Sequence, residues 1–372
     1  MKPVVWARGV TDPEQGLEAL LDDLGFDTLF EPGDTVVLKP NFVAPRDNSA
    51  GATTSLPLLR VLARRLRGLG AQPVLTELPG MEFDTREVFG FLGIFELARE
   101  CGLEVFLPTA ADYVRVRVPR GRRLKFAWVN KLVFEAKLIN LPVLKTHVIT
   151  GVTTGMKNLM GLVDNRTRKQ MHIRGIHACV ADLATLIQPT LTICDAIRSM
   201  EGDGAVYGTV RHTNMLFAGT DQRALDRTLC DYMGVDWRSI GYIRRSRPPQ
   251  EIELRGSYTP QSFLMPQQGA VYRALYRGLY AVDLLWERVF GQHFNAFLYK
   301  TGYFGTHPYI NPQPDCATCR RCIEVCPVGA IRDDFSIDPK RCLRCLRCYD
   351  TCPLGRVHAK GFSNPEHYTH EE

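Results

Sequence analysis

The chain of 372 residues lacks several features that would place it in a common class at once. No apolar run is long enough to span a bilayer, and no long apolar stretch follows the basic start as a secretory signal would require. The motifs Gly-x-Ser-x-Gly and His-Glu-x-x-His are also missing. These absences argue against a membrane span, secretion, and the common types of serine hydrolase and zinc protease.

Neither sign of charge dominates the composition. The 46 basic and 40 acidic residues leave a formal net charge of +6, which is too evenly spread for a nucleic-acid-binding surface. The small excess favours anionic partners. Hydrophobic residues make up 45% and charged residues 23%, as in an ordinary soluble globule. At this length we expect more than one domain.

Fingerprints for nucleotide binding are missing as well. The glycine turn at 151–161 has three residues between its first glycines where a phosphate loop needs four, and Asn158 follows Lys157. Gly202 and Gly204 lack the spacing of a dinucleotide fingerprint. We therefore predict neither NAD nor FAD. The glycine turn could still face an anion with Lys157 as counter-charge, and a plain helix entry is the alternative.

Cysteine, in contrast, is abundant and regularly spaced. Eight of the twelve cysteines form two copies of one spacing that ends in Cys-Pro, and each cysteine recurs 26 positions later, from 316 to 342 onward. Three thiolates separated by two residues suit one face of an iron–sulfur cube, and the fourth points to a neighbouring cluster. The sequence therefore predicts two 4Fe-4S clusters in crossed ligation. The first set is Cys316, Cys319, Cys322 and Cys352, and the second set is Cys342, Cys345, Cys348 and Cys326.

A zinc site is the alternative, because Cys-x-x-Cys pairs also suit tetrahedral zinc. Zinc gives no reason for the third cysteine, the Cys-Pro ending and the repeat together. Residues 312–356 resemble a bacterial-type two-cluster ferredoxin domain. Since such clusters assemble under reducing conditions, we expect a cytoplasmic protein. The remaining cysteines are predicted to be inert core residues, namely Cys101, Cys179, Cys194 and Cys230.

The cluster segment is unusually basic for a ferredoxin-like unit. Between 312 and 356, eight cations stand against six anions. We expect Arg320, Arg321, Arg344 and Arg347, which lie within the ligand runs, to present a positive face to solvent. Such a face favours an acidic electron donor such as ferredoxin or flavodoxin, because opposite charges speed encounter. A merely solvated surface is the alternative.

Short apolar runs alternate with helical patterns over the first 240 residues, which is typical of a parallel sheet covered by helices. Strands are predicted at 35–38, 74–76, 137–140, 191–194 and 215–218, and helices at 55–70 and 223–233. We therefore predict an α/β domain over 1–240, with an open, mostly parallel sheet and helices on both faces. A small α+β ferredoxin-like domain follows at 312–356.

The remaining segments connect or follow these domains. Residues 241–311 are predicted to form a linker and an aromatic amphipathic helix, and 357–372 a flexible tail. The helix either packs between the two domains or lies on a membrane surface through 270–290. Asp283 interrupts its apolar run, which favours packing.

Candidate ligand-binding residues lie directly after the predicted strands, because ligands collect beyond the carboxyl ends of parallel strands. Lys39 and Asn41 follow the first strand, Lys145 comes shortly after the third, and Asp195 follows the fourth. Asn158 belongs to the glycine turn. We predict that these five residues bind an anionic small molecule. The alternatives are solvated strand ends for the lysines and a helix cap for the aspartate.

Two further residues are predicted to act in catalysis. Lys157 supplies positive charge in the glycine turn, and His147 lies beside Lys145. We choose His147 as the proton donor because an unshifted histidine pKa lies close to the working pH. A structural histidine is the alternative.

These segments together resemble the family catalogued as domain of unknown function 362. The resemblance rests on residues 37–41, 140–147, 153–161, 195–204 and 218–226. It covers most of 1–235, and members of this family often carry a C-terminal two-cluster ferredoxin unit. The resemblance implies an architecture and site positions, and it implies no reaction.

Fusion of a cluster unit to an α/β domain suggests a function. Covalent attachment holds the two units together at high effective concentration. We therefore expect an oxidoreductase that passes electrons from two 4Fe-4S clusters to an anionic small molecule. The alternatives are a non-catalytic electron-transfer or redox-sensing binding protein, and a non-redox enzyme with structural clusters.

Overall fold

The computed structural model describes residues 2–266, 269–290 and 306–360. The strands are β1 (Val4–Gly9), β2 (Thr35–Lys39), β3 (Gln72–Leu75), β4 (Glu104–Val105), β5 (Tyr113–Arg117), β6 (Phe126–Asn130), β7 (Lys137–Asn140), β8 (Val143–His147), β9 (Gly151–Thr153), β10 (Leu191–Glu201), β11 (Thr209–Gly219), β12 (Glu253–Gly256), β13 (His307–Ile310) and β14 (Val357–Lys360). The helices are α1 (Pro13–Leu24), α2 (Leu56–Gly68), α3 (Thr85–Phe91), α4 (Ile94–Cys101), α5 (Leu132–Glu135), α6 (Gly155–Asn158), α7 (Asn165–Arg174), α8 (Ile176–Leu186), α9 (Gln222–Met233), α10 (Gly241–Ser246), α11 (Gly269–Phe290), α12 (Pro314–Cys319), α13 (Arg321–Glu324) and α14 (Arg347–Asp350).

In the described part of the chain, ten strands form one sheet in the order β12-β1-β11-β10-β7-β2-β3-β4, with β8 and β9 continuing beside β10. Strands β2, β3, β4 and β7 pair in parallel, as do β7 and β8 with β10 and β1 with β12. The pairs of β11 with β1 and β10, and of β8 with β9, are antiparallel. The predicted open, mostly parallel sheet is confirmed.

Helices cover both faces of this sheet. In β2, Val36 and Leu38 enter an apolar core that they share with α1 and α2, whereas Val37 enters a second core with α8 and α9. This division follows from the strand period, since successive side chains point to opposite faces. The predicted α/β class is confirmed.

Strand β8 was not predicted and β10 is longer than predicted, and these two differences relocate two site residues. Pro142 separates β7 from β8, and a proline in an apolar run indicates a link. A strand nevertheless resumes at once, so Lys145 lies within β8. Similarly, β10 continues through Asp195 to Glu201 because β11 pairs with it as a long antiparallel partner.

Both units extend past the predicted boundaries. Strand β12 adds Glu253–Gly256 to the edge of the main sheet, beyond residue 240. Strands β13 and β14 pair with each other on either side of 312–356. Of the predicted flexible tail, residues 357–360 form β14, and 361–372 lie outside the described residues.

The small unit repeats its backbone as well as its cysteines. Helices α13 and α14 follow Arg320 and Leu346, whose φ angles are 47° and 54°. Gly329 and Gly355 follow with φ angles of 57° and 61°. Both pairs are 26 positions apart, from 320 to 346 and from 329 to 355, so the sequence repeat is also a structural repeat.

Arg46 joins the large domain to the second half of this unit. Its side chain is 3% exposed, and it donates to the carbonyl oxygen of Cys345 at 3.0 Å and to the carboxylate of Asp350 at 2.8 Å. Tyr207 of the large domain packs against Leu346 nearby. The second repeat therefore forms the docked half.

The prediction of a positive solvent face is wrong for two of its four arginines. Arg344 is buried, and Arg347 pairs with Asp47 at 3.5 Å and lies 4.6 Å above the ring of Phe91. Both belong to the docked repeat, and a linear sequence does not show which side of a small domain docks. Arg320 is exposed and forms an ion pair with Asp333 of the same unit.

Helix α11 packs on α7 through a polar and aromatic face. Lys169 pairs with Asp283 at 2.7 Å and with Glu287 at 2.8 Å, and His172 lies 4.7 Å from Tyr280 between ring centroids. Asp283 thus interrupts the apolar pattern in order to meet a buried lysine. No helix in the described ranges is both long and apolar enough to cross a membrane.

We expect the Arg46→Met variant to loosen the small unit. Removal of a buried cation from a part-exposed carboxylate should lower the free energy of unfolding by roughly 1–3 kcal/mol. Chemical denaturation of the reconstituted protein would measure this loss, and limited proteolysis would report undocking. The control is Arg321→Met, because Arg321 is exposed and lies 4.0 Å from Glu324. Equal losses in both variants would contradict the assigned role of Arg46.

Candidate functional site

A cavity of about 200 Å³ lies at the carboxyl ends of β2, β3 and β8. Five of the seven predicted site residues line it: Asn41, Lys145, His147, Lys157 and Asn158. Tyr276 and Tyr280 of α11 contribute to the opposite wall. We call this space the central cavity. Its position agrees with the rule that open parallel sheets bind ligands beyond their carboxyl ends.

A chain of side-chain amides fixes the lysine at the base of the cavity. Asn158 donates to Asn140 at 2.9 Å, and Asn41 donates to Asn158 at 2.6 Å. The Nζ atom of Lys145 then donates to Asn41 at 2.8 Å and to the carbonyl oxygen of Ala52 at 2.6 Å. Three predicted residues are thereby joined in one hydrogen-bond network.

Lys145 carries its charge in an unusual environment. The side chain is fully buried, and its hydrogen-bond acceptors in the described structure are neutral oxygens. Burial lowers its pKa well below the ordinary value, and the nearby Lys157 lowers it further. A negatively charged ligand in the central cavity would stabilise the protonated amine.

Lys39 has a carboxylate partner of its own. It forms a buried ion pair with Glu77, and its Nζ donates to the carbonyl oxygen of Pro40 at 2.8 Å. Burial lowers the pKa of Lys39 to about 8 and raises that of Glu77, while their mutual attraction opposes both shifts. The structure therefore places Lys39 behind the cavity wall, and Glu77 lines the cavity.

Gly161 makes room for this ion pair. A Cβ atom on Gly161 would lie 2.2 Å from Oε1 of Glu77. Contacts this short do not occur between real atoms, so any other residue would displace the carboxylate. The last glycine of the predicted turn therefore serves the Lys39–Glu77 pair.

Lys157 is half-buried in the cavity wall and has no hydrogen-bond or ion-pair partner in the part of the chain that the structure describes. Burial lowers its pKa to about 7, and the charges of Arg168 and Lys39 contribute to the shift. A lysine with this pKa exchanges a proton near neutral pH. Lys157 thus has the properties of an acid or base as well as those of a counter-charge.

His147 differs from the expectation of an ordinary pKa. Burial lowers its pKa well below the usual value, and the cations Lys157 and Lys145 add to this effect. The Nδ1 atom accepts a hydrogen bond from the backbone N–H of Ile149 at 3.1 Å, which places the proton of the neutral ring on Nε2. The ring is therefore neutral at working pH and can donate one hydrogen bond.

Two aspartates near the site hold backbone segments in place. Asp195 accepts from the N–H groups of Ser55 at 2.9 Å and Ile197 at 3.2 Å, so it anchors the start of α2 and does not line the central cavity. Asp226 accepts from Gly155 at 2.7 Å and Met156 at 3.0 Å. These N–H groups of the glycine turn were expected to face an external anion, and a carboxylate of the chain occupies them instead.

Sequence reasoning missed other residues of the cavity wall. Glu77 follows β3 as Lys39 ends β2, so the rule of polar residues after strands would have found it. Arg168 holds the neighbouring loop through the carbonyl oxygens of Leu78 and Pro79, and its helical position gives no sequence signal. The hydroxyl of Thr153 is buried and has no hydrogen-bond partner among the described residues, which suits a ligand that accepts or donates there.

The eight clustered cysteines line two further cavities. One is lined by Cys316, Cys319, Cys322 and Cys352, and the other by Cys326, Cys342, Cys345 and Cys348. Each cavity combines three cysteines of one repeat with the last cysteine of the other repeat. The donor sets thus fit the sulfur-rich environment that iron–sulfur clusters require.

Backbone N–H groups point at several of these sulfurs. Ala330 donates to the Sγ of Cys326 at 3.2 Å, and Arg356 donates to the Sγ of Cys352 at 3.3 Å, again 26 positions later. Hydrogen bonds of this kind stabilise negative charge on a thiolate. The backbone therefore prepares these sulfurs to act as ligands.

One segment, residues 204–207, lies between the central cavity and the second cysteine set. Its residues Val206 and Tyr207 line the central cavity, and Tyr207 also packs against Leu346. Leu346 lines the second cysteine cavity directly beside Cys345. Two side chains in contact, Tyr207 and Leu346, therefore lie between the two sites.

Fold and site together define an α/β domain with a lysine-rich cavity, joined to a cysteine-rich ferredoxin-like unit. The model of the domain of unknown function 362 (DUF362) matches residues 36–231, which is more than half of the chain. The protein belongs to the DUF362 family, as the sequence resemblance implied.

Two known proteins are similar to parts of the chain. The thylakoid-associated protein sll1697 of Synechocystis sp. is 27% identical over 240 residues, which cover 60% of this chain and 71% of that protein. The lactate racemase apoprotein from Thermoanaerobacterium thermosaccharolyticum superimposes with a TM-score of 0.43 at 13% identity. That alignment covers 62% of this chain and 57% of the racemase, and a score of this size carries no conclusion about fold or activity.

The pKa of Lys157 can be tested by chemical labelling. A lowered pKa leaves the amine neutral, and hence reactive toward an acylating reagent, from about pH 7 upward. We expect the acetylation rate of Lys157 to reach half its maximum near that pH, measured by peptide mass spectrometry. Lys131 is the internal control, because Asp112 raises its pKa above the ordinary lysine value. Half-maximal labelling of both lysines in the same alkaline range would contradict the depressed pKa.

Proposed function

We propose that the protein binds two 4Fe-4S clusters and passes electrons to an anionic small molecule held in the central cavity, as a reductase of the oxidoreductase class. The observation that carries this proposal is the shared segment 204–207, which lines the central cavity and packs beside the second cysteine set. Iron–sulfur clusters supply single electrons over a wide range of potentials. A separation by the contacting side chains of Tyr207 and Leu346 suits such a transfer.

The crossed cysteine sets support the proposed cofactor. Each set brings four sulfurs to one cavity, and the repeat explains why there are two cavities. In this proposal Cys316, Cys319, Cys322 and Cys352 hold the first cluster. Cys342, Cys345, Cys348 and Cys326 hold the second, which is the one beside the large domain.

The ionisable groups around the central cavity support an anionic substrate. Lys145, Lys157 and Arg168 line the wall, and an anion would favour the protonated form of both lysines. Of the acidic wall residues, Glu77 is paired with Lys39, and burial raises the pKa of Glu82. These cations would bind a carboxylate or phosphate and stabilise the negative charge that develops when a substrate is reduced. Asn41 and Asn158 keep Lys145 in position through the amide network.

Proton supply follows from the pKa values. Lys157, with a pKa of about 7, is the proposed proton donor, because its protonated and neutral forms are both populated near neutral pH. His147 is neutral and contributes a hydrogen bond from Nε2 to the substrate. The first choice from the sequence, His147 as proton donor, therefore passes to Lys157.

A non-catalytic redox-sensing or electron-transfer protein is the second candidate. The depressed pKa of Lys157 favours the enzyme, because pKa values shifted toward neutrality are typical of proton-transfer sites. An acidic ferredoxin or flavodoxin remains the proposed electron donor, now at the first cysteine set, where Arg320 and Arg321 line the cavity. Cytoplasm remains the proposed location, because the clusters require reducing conditions.

Paired cysteine substitutions would test the cofactor and its crossed ligation. We expect about eight iron and eight sulfide per chain after anaerobic reconstitution. If Cys316 and Cys352 hold one cluster, the C316A/C352A variant should keep about four iron, whereas C342A/C352A should lose both clusters. Iron and acid-labile sulfide analysis would measure the contents, and C101A serves as the control. The reverse pattern would refute crossed ligation, and zinc without sulfide would refute the cofactor.

A dithionite-reduced sample can be used to test turnover. Addition of unsaturated or oxidised organic acids should restore the visible absorbance of the oxidised clusters if one of them is a substrate. Lys157→Met should then weaken its binding by roughly 1–3 kcal/mol, as for loss of a charged hydrogen bond, with unchanged iron content. Lys131→Met is the matched control, since Lys131 pairs with Asp112 on the surface. Equal affinities in the two variants would place the substrate elsewhere.

A further inference from the structure

A second groove of about 300 Å³ opens beside the central cavity, and we call it the arginine groove. Its wall brings together five arginines from separate parts of the chain, namely Arg123, Arg174, Arg245, Arg273 and Arg277. No acidic residue lines the groove among the described residues. Two histidines, His172 and His177, complete the polar wall. The sequence separation of these residues explains why no motif announced the site.

The five arginines have no carboxylate partner within residues 2–266, 269–290 and 306–360. Arg65, in contrast, contacts three carboxylates, those of Glu18, Asp22 and Asp27. Arg273 instead donates to the carbonyl oxygen of Ile149 at 3.1 Å, which turns its guanidinium toward the groove wall. Like charges that converge without counter-charges create a positive potential that favours a polyanion.

The pKa of His177, which lines the groove, responds to these arginine charges. Burial lowers its pKa to about 4, and Arg273, Arg245 and Arg244 lower it further. The Nδ1 atom of the neutral ring is buried and has no hydrogen-bond partner in the part of the chain that the structure describes. A ligand that reaches the groove floor would therefore meet a free hydrogen-bonding atom as well as guanidinium groups.

We propose that the arginine groove binds an oligophosphate group. Guanidinium forks match phosphate oxygens in pairs, and five of them exceed what a single carboxylate could neutralise. The groove and the central cavity adjoin at Ile149 and His172, which line both. Resting on the proposed function, the substrate is then an organic di- or triphosphate whose reacting part lies in the central cavity.

Inorganic pyrophosphate is the probe for this group, with the full-length reconstituted protein in a calorimeter. We expect saturable binding that weakens as salt increases, because the contacts are charged. The R273Q/R277Q variant should bind at least tenfold more weakly, since two charge-assisted contacts are lost. R123Q, on a different element, should reproduce part of the effect if the double variant is unstable. R238Q/R255Q is the control, because these arginines pair with Asp236 and Glu253 outside the groove.

Two further measurements separate this proposal from its alternatives. Lys157→Met should leave pyrophosphate binding nearly unchanged. This result is expected whether or not any organic acid reoxidises the reduced protein, so it is independent of the proposed reductase activity. Loss of pyrophosphate binding in this variant would place the phosphate in the central cavity and overturn the assignment. Vesicles of phosphatidylglycerol test a lipid headgroup as the source of phosphate, since α11 also exposes Val271, Leu285 and Val289. Arginine-dependent vesicle binding without pyrophosphate binding would overturn the proposal, as would equal pyrophosphate affinity in wild type and R273Q/R277Q.

Discussion

Lys145 imposes the main physical constraint on the central cavity, because its buried amine has only neutral hydrogen-bond acceptors among the described residues. Such a group is costly to bury, and the cost is offset only by acceptors in fixed positions. The amide chain from Asn140 through Asn158 and Asn41 provides them, and it ties the ends of β2 and β7 to the short helix α6. The neighbouring Lys39–Glu77 pair solves the same problem differently, with a carboxylate that Gly161 accommodates. The charge of Lys39 is thus neutralised by Glu77, whereas Lys145 has no carboxylate partner among the described residues and can interact with an incoming anion.

Position along the chain was sufficient to find residues that act at strand ends. Asn41 and Lys145 were identified by that rule, and Glu77 would have been identified by applying it once more. The residues that come from helices were not accessible in this way. Arg168, Tyr276 and Tyr280 reach the cavity because α7 and α11 pack together, and that contact depends on the buried pair of Lys169 and Asp283. The strand boundaries show a similar limit, since β8 pairs with β10, which is distant in sequence, and β10 is extended by its pairing with β11.

The electrostatic properties were less predictable than the positions. The pKa values of His147 and Lys157 depend on burial by segments far along the chain, so the roles expected of them changed although both residues lie where expected. The same reasoning applies to the small unit. Its two cysteine-lined cavities group the cysteines as the local repeat does, whereas the surroundings of Arg344 and Arg347 depend on docking. Local chemistry could be read from the sequence, and surroundings could not.

The docking of only one repeat has a consequence for a unit that is otherwise duplicated. Two halves with matching backbone angles and matching sulfur ligands would be interchangeable in isolation. Arg46 and Tyr207 cover only the half that contains Cys345, so that half loses water and gains a buried cation beside its ligand set. Because solvent exposure and nearby charge tune iron–sulfur centres, equivalent ligand sets become inequivalent by placement alone. The two halves of the duplication thereby differ in their surroundings. The neighbouring domain determines which half is covered, and no change of the cysteines is needed.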